Sequence, residues 1–185
     1  MDLTEKTLST REIYAGRVIK VRVDTVSLPD GNQSTREVVE HAGAVAVLAV
    51  DNDDNIVMAH QFRKPLDRVL TEIPAGSLYE GEDPLACAQR ELEEETGYKA
   101  RHWEKILSYY STPGFTDEQL HIFLASELFL GQTNPDPDEF IETELVPLDK
   151  AYRMIFTGEI ADGKSIIAIQ YLAARRLQSL PEEQT

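Results

Sequence analysis

The sequence predicts an α/β protein, in which a mixed sheet is layered between helices and a small antiparallel β-sheet domain precedes it. Strand and helix patterns follow one another without strict alternation, as is typical of a mixed sheet covered by helices. Residues 44–50 are apolar at every position, which is expected of a strand with both faces covered. We place the N-terminal domain at residues 1–40 and the larger domain at residues 41–185.

The first half of the chain is predicted to be mostly β-structure. Residues 11–40 have an antiparallel pattern, with valines among polar residues. The turn Leu28-Pro-Asp-Gly31 interrupts it, because proline and glycine both suit tight turns. After the strand over residues 44–50, a turn rich in Asp and Asn leads into a strand over residues 56–62.

One helix is marked at both ends. Asp83 is a good N-cap, Pro84 suits the first helical position, and Gly97 suits the left-handed position after the last turn. Four residues at spacings of three and four share one face, which is expected to pack on the sheet. These four residues are Leu85, Ala88, Leu92 and Thr96.

The second half of the chain predicts two more strands and two more helices. The strands are expected around residues 106–110 and 121–128. One helix is predicted over residues 149–156, where Gly158 ends it, and another from about residue 164 to residue 180, where a proline ends it.

Composition excludes several classes of function. The chain of 185 residues has a net charge of −15, and its 42% of hydrophobic residues suffices for a core, so the acidity does not indicate a disordered tail. This charge argues against nucleic acid or an anionic membrane surface as a partner, because both attract clustered Lys and Arg. The single cysteine, Cys87, and an N-terminus without an apolar signal segment predict a cytoplasmic location.

The capped helix carries an acidic cluster. Glu91, Glu94 and Glu95 stand at i, i+3 and i+4, so their carboxylates converge and repel one another. Arg90, the only basic residue of this helix, is expected to point to another side. A divalent cation would explain the cluster, because Mg²⁺ prefers oxygen ligands and bridges to phosphate oxygens. On these three residues alone, an exposed acidic helix face is the alternative.

The wider spacing favours the metal site. From Gly76 to Tyr98 the chain fits the pattern G-x5-E-x7-R-E-U-x-E-E-x-G-U at all nine defined positions, where U is apolar. With this pattern the chain resembles the Nudix hydrolase superfamily. The resemblance implies an α/β/α sandwich and a hydrolase that cleaves a nucleoside diphosphate linked to another moiety. It also implies two or three Mg²⁺ or Mn²⁺ ions per site.

The chemistry of a pyrophosphate agrees with that resemblance. Bound cations would neutralise the diphosphate, lower the pKa of a bound water and orient the attacking and leaving oxygens. Gly76 permits a close backbone approach, and Arg90 is expected to orient the carboxylates rather than to touch substrate. The metal ligands implied by the resemblance are Glu91, Glu95, the carbonyl of Ala75, and Glu94, which is also a candidate catalytic group.

Outside this pattern, the chain is similar to the ADP-ribose pyrophosphatase branch over nearly its whole length. The resemblance implies hydrolysis of ADP-ribose to AMP and ribose 5-phosphate by a homodimer that exchanges its N-terminal sheets. The segments that carry it are Arg36-Glu37, His41-Ala-Gly-Ala-Val45, Gln61-Phe-Arg-Lys-Pro65, Glu72-Ile-Pro-Ala-Gly76, Thr112-Pro-Gly-Phe-Thr-Asp-Glu118, Asp138-Glu-Phe-Ile-Glu142 and Gly158-Glu-Ile-Ala-Asp162.

The same resemblance assigns substrate contacts. Arg63 corresponds to an arginine that meets the diphosphate, and its alternative is a surface ion pair. Arg36 and Glu37 correspond to contacts from the N-terminal domain, and exposed residues of an edge strand are the alternative. A loop near the terminal ribose corresponds to Thr112, Pro113, Gly114 and Glu118.

The general base is expected in the acidic loop over residues 134–139. Glu139 is the first choice as base or further metal ligand, followed by Asp138 and Asp136, and a plain acidic loop is the alternative. Two other functions stay open. One is hydrolysis of another nucleoside diphosphate sugar, and the other is a non-catalytic ADP-ribose sensor, which the complete set of glutamates disfavours.

Overall fold

The computed structural model describes residues 2–132 and 140–179 of the chain. It divides into two compact units. The first consists of Met1–Ala44 with Tyr109–Leu120, and the second of Val45–Ser108 with His121–Thr185.

The first unit contains a small antiparallel sheet, as the sequence predicts. Its strands are β1 (Lys6–Ala15), β2 (Ile19–Ser27) and β3 (Gln33–His41), in the order β1-β2-β3. Gly31 ends the turn between β2 and β3 with φ +86°, and its N–H donates to the carbonyl of Leu28 over 2.9 Å. Strand β1 begins before the predicted pattern. Every residue of it is exposed, so burial imposes no apolar alternation there.

Most of the remaining elements belong to the second unit. Strands β10, β5 and β6 form one sheet, and β7-β4-β9-β8 form another, which gives the predicted α/β class with a mixed sheet. The elements in chain order are β4 (Ala44–Ala49), β5 (Asn55–Arg63), a 3₁₀ turn (Lys64–Leu66), β6 (Arg68–Glu72), β7 (Ala75–Ser77), α1 (Pro84–Thr96), β8 (Tyr98–Tyr110), β9 (Gln119–Leu130), β10 (Ile141–Pro147), α2 (Leu148–Thr157) and α3 (Gly163–Ser179).

Helix α1 has the predicted caps. The Asp83 carboxylate accepts the N–H of Ala86 at 3.1 Å, and Gly97 ends the helix in the left-handed region with φ 72°. The predicted buried stripe is wrong at Leu85, which is 36% exposed. Helical side chains point back toward the N-terminus, so a first-turn residue reaches beyond the packed part of the helix.

The inner face of α1 packs on β4, β5 and β9. Burying this apolar surface is the main force that fixes α1 against the sheet. The core contains Val45, Val47, Ala49, Val57, Cys87, Ala88, Leu92, Phe123 and Ala125.

None of the helices within residues 2–132 and 140–179 has both the length and the hydropathy of a membrane-spanning segment.

Candidate active site

Two glutamates of α1 lie against the backbone of β7. A Cβ atom at Gly76 would overlap the Glu91 carboxylate, so only glycine lets that side chain lie there. The N–H of Ala75 donates to Glu95 Oε2 over 3.2 Å. Glu91 is 8% exposed and Glu95 is 7% exposed, although burying a carboxylate costs free energy unless charges or donors compensate it. The helix and the β7 backbone therefore hold two buried carboxylates side by side.

Arg90 compensates the acidic cluster. Its Nη1 donates to Glu91 Oε1 at 2.6 Å and to Glu94 Oε2 at 3.0 Å, and its Nε donates to Glu82 Oε1 at 3.1 Å. The prediction that Arg90 points to another side is wrong, because its long side chain folds back across the glutamates, 4.6 Å over the Tyr79 ring. Burial alone lowers the pKa of Arg90, but the hydrogen bonds to Glu82 and the charge of Glu91 raise it overall.

The donor chemistry of this cluster fits a hard divalent cation. Carboxylate and backbone carbonyl oxygens are the ligands that such cations prefer, and here they come from Glu91, Glu94, Glu95 and the segment beside Gly76. Within residues 2–132 and 140–179, no three His, Cys, Asp or Glu side chains already form a metal-ligating group. Arg90 donates to one oxygen of Glu91 and to one oxygen of Glu94, which restrains the direction of both carboxylates.

Arg63 lies on the second unit and is held by a buried partner. Its Nε and Nη2 donate to the two oxygens of Glu72, at 3.0 Å and 2.6 Å. Glu72 is 3% exposed, so the partner of Arg63 is not a surface group. Burial alone raises the pKa of Glu72, but hydrogen bonds from Arg63 and the charge of Lys164 lower it below its usual value. The bidentate pair fixes the guanidinium plane.

Sequence reasoning did not assign roles to Glu72 or Lys164. Glu72 begins the quoted segment that ends at Gly76, and Lys164 lies just after the segment that ends at Asp162. The sequence therefore carried a signal for Glu72 but not for Lys164, and the contact between them joins residues 92 positions apart in the chain, which local patterns do not reveal.

The first unit contains the other predicted substrate contacts. The loop between β8 and β9 is tied to β3, because Val39 N–H donates to the Phe115 carbonyl over 2.7 Å and Val39 pairs with Thr116. On β3, Arg36 forms an ion pair with Glu5 at 2.5 Å. The structure thus groups six predicted residues in this unit, namely Arg36, Glu37, Thr112, Pro113, Gly114 and Glu118.

The remaining three predicted residues are the acidic candidates for the general base. Glu139, Asp138 and Asp136 lie outside the described residues.

An α/β fold that presents helix glutamates to a glycine-containing backbone segment defines the class of Nudix hydrolases. Comparison with known families agrees with this class. Residues 40–168 match the model described as NUDIX domain, and residues 5–39 match the model described as Nucleoside diphosphate sugar hydrolase N-terminal domain. The chain therefore belongs to the NUDIX family.

Relatives of similar length cover nearly the whole chain. An ADP-ribose pyrophosphatase of Bacillus subtilis (strain 168) is 49% identical over 172 residues, which are 92% of this chain and 93% of the relative. A methanol dehydrogenase activator of Bacillus methanolicus is 48% identical over 170 residues, 91% of this chain and 92% of the relative. A crystal structure of an ADP compounds hydrolase has the same fold, with a TM-score of 0.85, 18% identity and coverage of 97% and 98%.

Proposed function

We propose that this NUDIX hydrolase cleaves ADP-ribose to AMP and ribose 5-phosphate. The position of the buried Glu91 carboxylate against Gly76, beside Glu95, carries the proposal for the reaction. The similarity to the Bacillus subtilis ADP-ribose pyrophosphatase over 92% of this chain supports the choice of substrate.

The proposed metal site lies where α1 meets β7. Two or three Mg²⁺ or Mn²⁺ ions would be held by Glu91, Glu95, the carbonyl of Ala75 and Glu94. When bound, these ions would neutralise the diphosphate and lower the pKa of a bound water. Arg90 keeps the carboxylates oriented through its fork of hydrogen bonds. The protein thereby supplies oriented anionic ligands for the cations, and the cations would in turn offset the negative charge of the diphosphate.

Arg63 is the proposed protein contact to the diphosphate. Among the described residues, its bonds to Glu72 use Nε and Nη2, and we assign Nη1 as the donor to a phosphate oxygen. The side chain is 36% exposed, so an anion can approach it from solvent. An arginine fixed by a buried carboxylate loses little conformational entropy when it binds phosphate.

The proposed roles of the first-unit residues follow the family resemblance. Arg36 and Glu37 contact the substrate from β3, and the loop with Thr112, Pro113 and Gly114 lies at the terminal ribose. Glu118 accepts hydrogen bonds from ribose hydroxyls, as a carboxylate can.

The proposed base removes a proton from the attacking water. Glu139 is the first candidate, and Asp138, Asp136 and Glu94 follow it. A carboxylate can take this role when its pKa lies close enough to the working pH.

The substrate proposal predicts a clear order in a substrate panel. ADP-ribose, two nucleoside diphosphate sugars and a dinucleoside polyphosphate are incubated with Mg²⁺, and nucleoside monophosphate release is followed by chromatography. The highest kcat/KM is expected for ADP-ribose. A higher value for another nucleoside diphosphate sugar would support the alternative substrate class. Binding of ADP-ribose with no turnover of any compound would support the non-catalytic sensor.

We also propose that the chain works as a homodimer in the reducing environment of the cytoplasm, and the family resemblance implies that the N-terminal sheets are exchanged in it. Strand β1 supports the dimer, because Leu8, Ile13 and Tyr14 are about half exposed on it. Light scattering is expected to give twice the chain mass of 20.8 kDa. A mass of one chain at micromolar concentration would contradict the dimer.

A further inference from the structure

Four charged side chains meet at the N-terminus of α3, in the second unit. We name Arg63, Glu72, Asp162 and Lys164 the α3 charge cluster. Lys164 Nζ lies 2.5 Å from Glu72 Oε2 and 2.9 Å from Asp162 Oδ2. Glu72 is 3% exposed and Lys164 is 9% exposed, so water screens this contact little.

The N-terminus of α3 is itself tied to the segment that leads to Gly76. Ser165 Oγ accepts the N–H of Ile73 at 2.8 Å, and it donates to Asp162 Oδ2 at 2.6 Å. Ser165 is fully buried. These bonds fix Lys164 relative to Glu72, so the ammonium group is held in place rather than sampling solvent.

The charges around Arg63 are unbalanced without Lys164. Glu72 contacts Arg63 directly, and Glu95 and Asp162 lie near enough to raise the pKa of its guanidinium further. Three carboxylates therefore act on one arginine. Lys164 contacts two of these three carboxylates, Glu72 and Asp162, and offsets their charge. With Lys164 in place, less of the positive charge of Arg63 is cancelled by the protein.

We propose that Lys164 is a positioning residue that preserves the attraction of Arg63 for an anionic diphosphate by sharing the charge of Glu72. The inference rests on the proposed function in that the anion is the diphosphate of ADP-ribose. It assigns a role in binding to a buried residue that does not itself meet the substrate. The consequence is a change in KM that is larger than the change in kcat.

The test compares Lys164→Met, Lys164→Arg and the double variant Asp162→Asn/Lys164→Met, which keeps the pair of Glu72 with Arg63. For Lys164→Met, KM for ADP-ribose is expected to rise about tenfold, as loss of one unit charge near a partly exposed site predicts, with kcat within about threefold. Lys164→Arg retains the charge and is expected to retain most of the affinity. In the double variant one negative and one positive charge are removed together, so KM is expected to return toward the wild-type value.

Lys150→Met is the matched control, because Lys150 is exposed on α2, and its kinetics are expected to equal those of the wild type.

Two further measurements keep the test independent of folding and of turnover. Circular dichroism melting reports whether each variant folds. Lys164→Gln, which retains a donor to Glu72 without the charge, replaces Lys164→Met if the latter does not fold. Calorimetric titration with ADP-ribose in EDTA measures affinity without hydrolysis.

The outcomes separate this inference from the proposed function. An unchanged KM in Lys164→Met, or a double variant weaker than the single one, would overturn the role of Lys164 while leaving hydrolysis intact. Wild-type protein that binds ADP-ribose without cleaving it would overturn the proposed function, and the calorimetric affinities would then decide the role of Lys164. Neither binding nor turnover by the wild type would overturn both.

Discussion

Glu95→Gln is expected to lower kcat for ADP-ribose about a thousandfold, which corresponds to about 4 kcal/mol of lost transition-state stabilisation. The substitution removes one of two buried carboxylates beside β7. Glutamine can still accept the N–H of Ala75, which now donates to Glu95 Oε2 at 3.2 Å, so the local fold is expected to persist. Steady-state release of AMP measures the loss, and a smaller Mg²⁺-induced increase in melting temperature measures the weaker metal site without turnover.

Glu93→Gln is the matched control on the same helix. Glu93 pairs with Lys99 at 2.9 Å and does not contact β7 in the described contacts, so its removal is expected to change kcat less than about twofold. Equal activity of Glu95→Gln and the wild type would show that the metal ligands lie elsewhere.

Gly76→Ala is expected to lower kcat/KM at least about a hundredfold, with little change in stability. The new methyl group would occupy the position of the Glu91 carboxylate, which lies at the end of a flexible side chain and can turn away. The fold therefore adapts at a cost of about 1 kcal/mol or less, but the carboxylate loses its place beside Glu95. Kinetics with ADP-ribose, the Mg²⁺ concentration for half-maximal activity and the Mg²⁺-induced change in melting temperature together detect this displacement.

Gly163→Ala serves as the control for the glycine substitution. A Cβ atom there meets no atom within 4 Å, and Gly163 is not among the glycines with positive φ. Wild-type kinetics are expected for it. A Gly76→Ala variant that matched Gly163→Ala in both activity and Mg²⁺ dependence would contradict the placement of Glu91 in the metal site.

The sequence predicted those elements of the fold whose ends are set by residues close to them in the chain. Asp83, Pro84 and Gly97 marked α1 at both ends, because caps act through backbone groups within a few residues. Strand β7 has only three residues, which is too short for a recognisable period, and it was not predicted. Strand β1 is exposed throughout, so burial imposed no apolar alternation from which the start of this strand could be predicted.

The candidate site was predictable where it is contiguous in the chain. The spacing from Gly76 to Glu95 was sufficient to propose a metal site, since α1 and the preceding loop are one local unit. The direction of the Arg90 side chain could not be predicted from the sequence, because the side chain bends toward the greatest negative charge rather than along its own face of the helix. The contact of Lys164 with Glu72 joins distant segments and required the tertiary structure.

The central claim is that the carboxylates of α1, held against β7, serve a metal-dependent cleavage of the diphosphate in ADP-ribose. Product analysis of ADP-ribose incubated with the full chain tests it most directly. We expect equal amounts of AMP and ribose 5-phosphate with Mg²⁺, no products after treatment with EDTA, and recovery when Mg²⁺ is restored. Products that form at the same rate in EDTA, or an absence of AMP under all metal conditions, would contradict the claim.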